Sequence, residues 1–144
     1  MIALNTDVLL RYLLQDDLQQ SAHANGLIGS LGEASIYIST SVMLDLYTTL
    51  ALDEKVSPDA PITVIEGLLR SREVVIQDAE VVHRAIRRMK ATEGEFFDCL
   101  TVEQAESAGC SQVVSYLEND KVGMTVLVET PWSGPNKGQQ RHTQ

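Results

Sequence analysis

The sequence predicts an α/β fold, a three-layer sandwich with a five-stranded, mostly parallel sheet and helices on both faces. Short β-rich apolar runs recur at residues 2–4, 35–39, 74–76, 113–114 and 125–128. Stretches with apolar side chains at helical spacing lie between most of them, and turn or cap residues mark the joins. Strands that alternate with helices in this way form a parallel sheet between helical layers.

The first run, Ile2, Ala3 and Leu4, has no polar alternation, as expected of a strand buried on both faces. Asn5, Thr6 and Asp7 break it with cap chemistry, with Asp7 read as a helix N-cap or a metal contact. Val8, Leu9, Leu10, Tyr12, Leu13 and Leu14 then make a short helix ended by Gln15, Asp16 and Asp17. Residues 18–31 predict a second helix, weakened by Gly26 and Gly29. After the strand at 35–39, Thr40 or Ser41 is the expected cap for the helix that carries Asp45. A Pro58 and Pro61 loop leads to a helix over 62–70. Following Val74, Val75 and Ile76, Asp78 is the expected cap of a helix whose apolar face is Val81, Val82, Ala85, Ile86 and Met89. Its other face carries Arg84, Arg87, Arg88 and Lys90, a solvated face or a grip for phosphates. Residues 96–108 predict a further helix stopped by Gly109.

Composition sets the class. At 144 residues and 44% hydrophobic content the chain has the size of one domain, taken as residues 1–130, with a polar, flexible tail over 131–144. A formal charge of -9 repels phosphate on average and argues against loose, nonspecific nucleic-acid binding, although metal-binding acids would make a nuclease site acidic. No apolar run is long enough to span a membrane, and the start lacks the basic region of a signal peptide, so the expectation is a cytoplasmic protein. Cys99 and Cys110 are then expected as reduced, buried thiols. Tyr12 and Tyr47 read as core residues or as the lining of a partner's groove.

The chemistry must come from acids. The sequence has no glycine-rich phosphate loop, no cysteine pair at zinc spacing and no serine in a nucleophile elbow, and its three histidines are scattered. Asp7, Asp45, Glu95 and Asp98 remain, each at a predicted strand end or facing helix start. Asp45 lies between Leu44 and Leu46, and Asp98 sits inside Phe-Phe-Asp-Cys-Leu. A carboxylate in such surroundings must be hydrated, paired or bound to a cation.

The segments MIALNTDVLLRYLL, STSVMLDLYTTL, EFFDCLTVEQAESAGC and VVSYLENDKVGM, in that order and spacing, resemble the PIN-domain family and within it the VapC-like toxins of bacterial toxin-antitoxin pairs. The resemblance spans about residues 1–128. It implies an acidic cleft binding Mg²⁺ or Mn²⁺, endoribonuclease activity on single-stranded RNA, a homodimer, and an antitoxin whose tail fills the cleft. The family's four acidic positions fall on Asn5, Asp45, Asp98 and Leu117. Only Asp98 is unchanged. Asp45 replaces a glutamate, Asn5 keeps an oxygen without charge, and Leu117 supplies neither. Residues 5 and 7 exchange the family's Asp-Thr-Asn for Asn-Thr-Asp. Asp7 would aim with Asn5 were the backbone extended, and Glu95, one turn before Asp98, matches a position often acidic in the family.

Three functional classes follow: a metal-dependent endoribonuclease with an altered acid set, a noncatalytic PIN module binding antitoxin or RNA, and an unrelated doubly wound domain such as a response-regulator receiver. The last is disfavoured, because Val128-Glu129-Thr130-Pro131 lacks the lysine that fold uses.

Overall fold

Short apolar runs pair in parallel, and the first two are each followed by a helix that a side chain caps. The computed structural model describes residues 1–115 and the backbone of residues 125–127. Leu117 and the expected tail over 131–144 lie outside the described residues. The chain forms two compact units, Met1–His83 and Arg84–Gln144.

In the first unit the order is β1 (Ile2–Ala3), α1 (Thr6–Leu14), α2 (Leu18–Gly29), β2 (Ile36–Ile38), α3 (Thr40–Leu52), α4 (Ala60–Arg70) and β3 (Val74–Ile76). The strands form a parallel sheet in the order β1-β2-β3, with Ile2 opposite Ile36 and Ile36 opposite Val74. Parallel pairing brings the carboxyl ends of all three strands to one edge, and the chain leaves that edge into α1 after β1 and into α3 after β2. Leu4, Leu9, Ile36, Ile38, Met43, Leu46, Leu50, Ile65 and Ile76 are buried. Met43, Leu46 and Leu50 recur three and four residues apart on one stripe of α3. Helix α1 packs on α2 and α3, and α3 on α4.

Helix α5 (Ala79–Thr92) starts in the first unit and continues into the second. Val81, Val82, Ala85 and Ile86 are buried, so its expected apolar face is observed. The second unit continues with α6 (Phe96–Ser107), β4 (Val113–Ser115) and β5 (Thr125–Leu127), and β4 pairs with β5 in parallel. Gly109, at φ 92°, follows α6 as expected.

The α/β class is as expected, but the single five-stranded sheet is corrected: the described strands form a three-stranded and a separate two-stranded parallel sheet. Strand β1 adds only two residues to the ladder before Asn5 turns the chain, and Ile2 is 39% exposed, so Ile2 and Ala3 are not a strand buried on both faces. The cap of α3 is Ser39, whose hydroxyl accepts the Val42 N–H at 3.3 Å, one residue before the expected Thr40. Helix α4 starts at Ala60, because a proline fits the first turn. Asp78, at φ 51°, starts α5 with its backbone carbonyl, which accepts the Val82 N–H. Cys99 is buried but Cys110 is exposed, and Tyr12 is 40% exposed rather than core. Among the described residues no helix is long and apolar enough to cross a membrane.

Candidate functional site

The carboxyl edge of the three-stranded sheet is where a strand-helix fold gathers polar groups. Asn5, in extended conformation directly after β1, is the N-cap of α1, and its Oδ1 accepts the Thr6 N–H at 3.0 Å. Thr6 is buried, and its Oγ1 has no hydrogen-bond partner among the described residues. Asp7 is not the cap. It lies in the first turn of α1, where a carboxylate suits the helix dipole, and its Oδ1 accepts the Val8 N–H at 2.8 Å. Because the backbone is helical from Thr6, the extended geometry that would aim Asp7 with Asn5 is not met. Asp7 instead lines a hollow of about 410 Å³ between α1 and α2, with Arg11 and His23 among its walls.

Ser39 and Thr40 stand at the same edge. The Ser39 and Ser41 hydroxyls are 3.0 Å apart, and the Thr40 N–H donates to Gln77 Oε1, just beyond β3, at 2.8 Å. Asp45 lies five residues further along α3, about 7.5 Å at 1.5 Å per residue. It is exposed: a step of 100° from Leu44 and Leu46 turns it off the Met43, Leu46, Leu50 stripe, so its charge is hydrated despite its apolar neighbours in sequence.

In the second unit Glu95 is the N-cap of α6 and exposed, while Asp98 is half-buried in the first turn, where the helix dipole favours a carboxylate. The sequence reading missed Glu103. Its side chain is only 5% exposed, and it accepts from Arg84 Nε at 3.0 Å and from Arg88 Nε at 2.8 Å. Arg88 Nη2 also reaches Glu106 Oε2 at 3.2 Å. Two of the cations considered for RNA phosphates are therefore occupied by carboxylates. Burial alone would raise the Glu103 carboxyl, but its bonds to Arg88 and Arg84 outweigh that and hold it below the usual carboxylate range. Burial likewise lowers the Arg88 guanidinium less than Glu103 and Glu106 raise it. Burial pushes the Cys99 thiol up, against the thiolate a nucleophile needs. The spacing of Arg84 and Arg88 against Glu103 and Glu106, one helical turn each, was the available signal.

A Mg²⁺ or Mn²⁺ ion needs several oxygen donors, and nuclease sites supply them chiefly as carboxylates. Among the described residues no group of three or more His, Cys, Asp or Glu side chains could hold a metal ion. Asn5 brings one neutral oxygen that is already engaged in capping, and a leucine at 117 brings no donor. The described residues thus gather too few carboxylates at one place to hold an ion tightly.

No curated protein and no solved structure matches the chain. The family model described as PIN domain matches residues 2–120. PIN domains are nuclease-type domains that generally use divalent metal ions and bind RNA. With most of its length matched by that model, this chain belongs to the PIN domain family.

Proposed function

We propose that this PIN domain is VapC-like, an endoribonuclease type acting on single-stranded RNA, and that its acidic site is degenerate. Asp45 and Asp98 are the retained acids, Glu95 supports Asp98 from the preceding turn, and Asn5 stands where the family carries an aspartate. Mg²⁺ or Mn²⁺ is held weakly, and cleavage by the unmodified chain is slow or absent. The observation that carries this reading is Asn5: it stands at the carboxyl end of β1, is neutral, and uses its oxygen on the Thr6 N–H. The VapC-like reading brings a cytoplasmic location, a homodimer and a cognate antitoxin with it.

A second reading, a noncatalytic module that holds antitoxin or RNA without cutting it, is favoured by the lack of a three-donor cluster among the described residues. Calorimetric titration with Mn²⁺ tests the first. The unmodified chain should bind weakly, and Asn5→Asp combined with Leu117→Asp should tighten binding by on the order of tenfold or more, since each added carboxylate supplies a charged oxygen ligand. An unmodified chain that binds Mn²⁺ as tightly as the restored one would overturn the degenerate site. Loss of that binding on Asp7→Asn would assign the fourth ligand to Asp7.

A further inference from the structure

The ion cluster at Glu103 is built to fix geometry. A carboxylate that is 5% exposed and shared by two guanidiniums is costly to desolvate, and an apolar side chain in its place would pack as well. What an apolar contact lacks is direction. Arg84 Nε and Arg88 Nε each meet a separate oxygen of Glu103, and Arg88 also reaches Glu106, so α6 is locked against α5 in rotation and in register.

A chain of contacts carries that lock to the start of α6. The Arg88 carbonyl accepts the Thr92 hydroxyl at 2.6 Å, and Thr92 Oγ1 accepts the Gly94 N–H at 3.2 Å. The Cys99 N–H donates to the Glu95 carbonyl at 2.9 Å. Glu93, at φ 62°, makes the sharp turn between the helices. Asp98 precedes Glu103 by five residues, about 140° around the helix, so Glu103 acts on it through the helix body.

We propose that Glu103 and Arg88 are positioning residues: they hold the α5–α6 turn and the first turn of α6, and thereby set where Glu95 and Asp98 are presented. The functional half of this proposal rests on the reading of Asp98 as a member of the acidic site.

The test separates position from stability. In a Cys110→Ser background, Cys99 is the remaining thiol, and its labelling by a disulfide reagent reports opening of the first turn of α6. Glu103→Gln should label about tenfold faster or more, as expected when one local unit opens more often. The triple variant Arg84→Leu, Arg88→Leu, Glu103→Met keeps the volume apolar and should melt close to the parent, yet label as fast as Glu103→Gln. Unchanged labelling in both would overturn the proposal. So would labelling that merely follows the melting temperature. In the Asn5→Asp, Leu117→Asp background, the triple variant should also weaken Mn²⁺ binding, read by electron paramagnetic resonance, by about tenfold. Equal Mn²⁺ affinity with faster labelling would overturn the link to Asp98. A restored chain that takes up no Mn²⁺ overturns the acidic-site reading, and Cys99 labelling then decides on the clamp alone.

Discussion

Glu103→Gln isolates the charge of the one acid that is buried among the described residues. The amide keeps the shape of the side chain, but one of its two ends becomes an NH₂ group that cannot accept from a guanidinium. Either Arg84 Nε or Arg88 Nε loses its acceptor on residue 103, and the other meets a neutral oxygen there in place of a charged one. Breaking a fully buried pair costs about 3–5 kcal/mol. Here the arginine side chains are 37% and 20% exposed and can regain water, so the expected cost at neutral pH is about 2–3 kcal/mol. Urea unfolding of parent and variant measures it directly. The pH dependence has a fixed sign. Arg88 and Arg84 hold the folded carboxyl below its unfolded value, so its stabilisation is complete above the unfolded value, about 4.3 for glutamate, and is lost as pH falls through the folded value. The two stability curves should run parallel above about pH 5 and converge below about pH 4. A cost under about 0.5 kcal/mol at pH 7, or one that does not shrink on acidification, would refute the reasoning.

Other substitutions test the local accounts. Asn5→Ala should cost about 0.5–1 kcal/mol by removing the α1 cap, whereas Asn5→Asp should be close to neutral because both residues cap well; thermal melts distinguish them. Glu93→Gly should stabilise by up to about 1 kcal/mol, since glycine takes the left-handed conformation of residue 93 without a Cβ clash. Asp45→Asn should shift unfolding by less than about 0.5 kcal/mol, as expected for an exposed side chain, and a larger change would show that its carboxylate has a fixed partner.

How far the sequence could be read depended on the range of the interactions involved. The α5 face of Val81, Val82, Ala85 and Ile86 was legible because burial follows the helical period within one element. Helix α6 was legible from Gly109, whose positive φ ends it. Caps slipped by one or two residues, to Asn5 and Ser39, because Ser, Thr, Asn and Asp are near-equal candidates and only backbone geometry chooses among them. The division of the described strands into a three-stranded and a two-stranded sheet was not legible, since strand partners are non-local and β1 is too short to declare its neighbours. Which of hydration, pairing or a cation meets the Asp45 charge was not legible, because its sequence neighbours are apolar while its direction is set by the 100° step. Glu103 was missed for the converse reason: among Glu103, Gln104 and Glu106 it looks like solvated surface, and its burial depends on Arg84 and Arg88, 19 and 15 residues away.

The degenerate acidic site is the central claim, and cleavage of single-stranded RNA tests it most directly. Purified chain, free of antitoxin and contaminating nuclease, is compared with the Asn5→Asp, Leu117→Asp variant in the presence of Mg²⁺, with Asp98→Asn in the restored background as control. The restored variant should cut faster by on the order of 10² or more, a few kcal/mol of transition-state stabilisation, and the control should abolish the gain. An unmodified chain that already cuts as fast as the restored one would contradict the account.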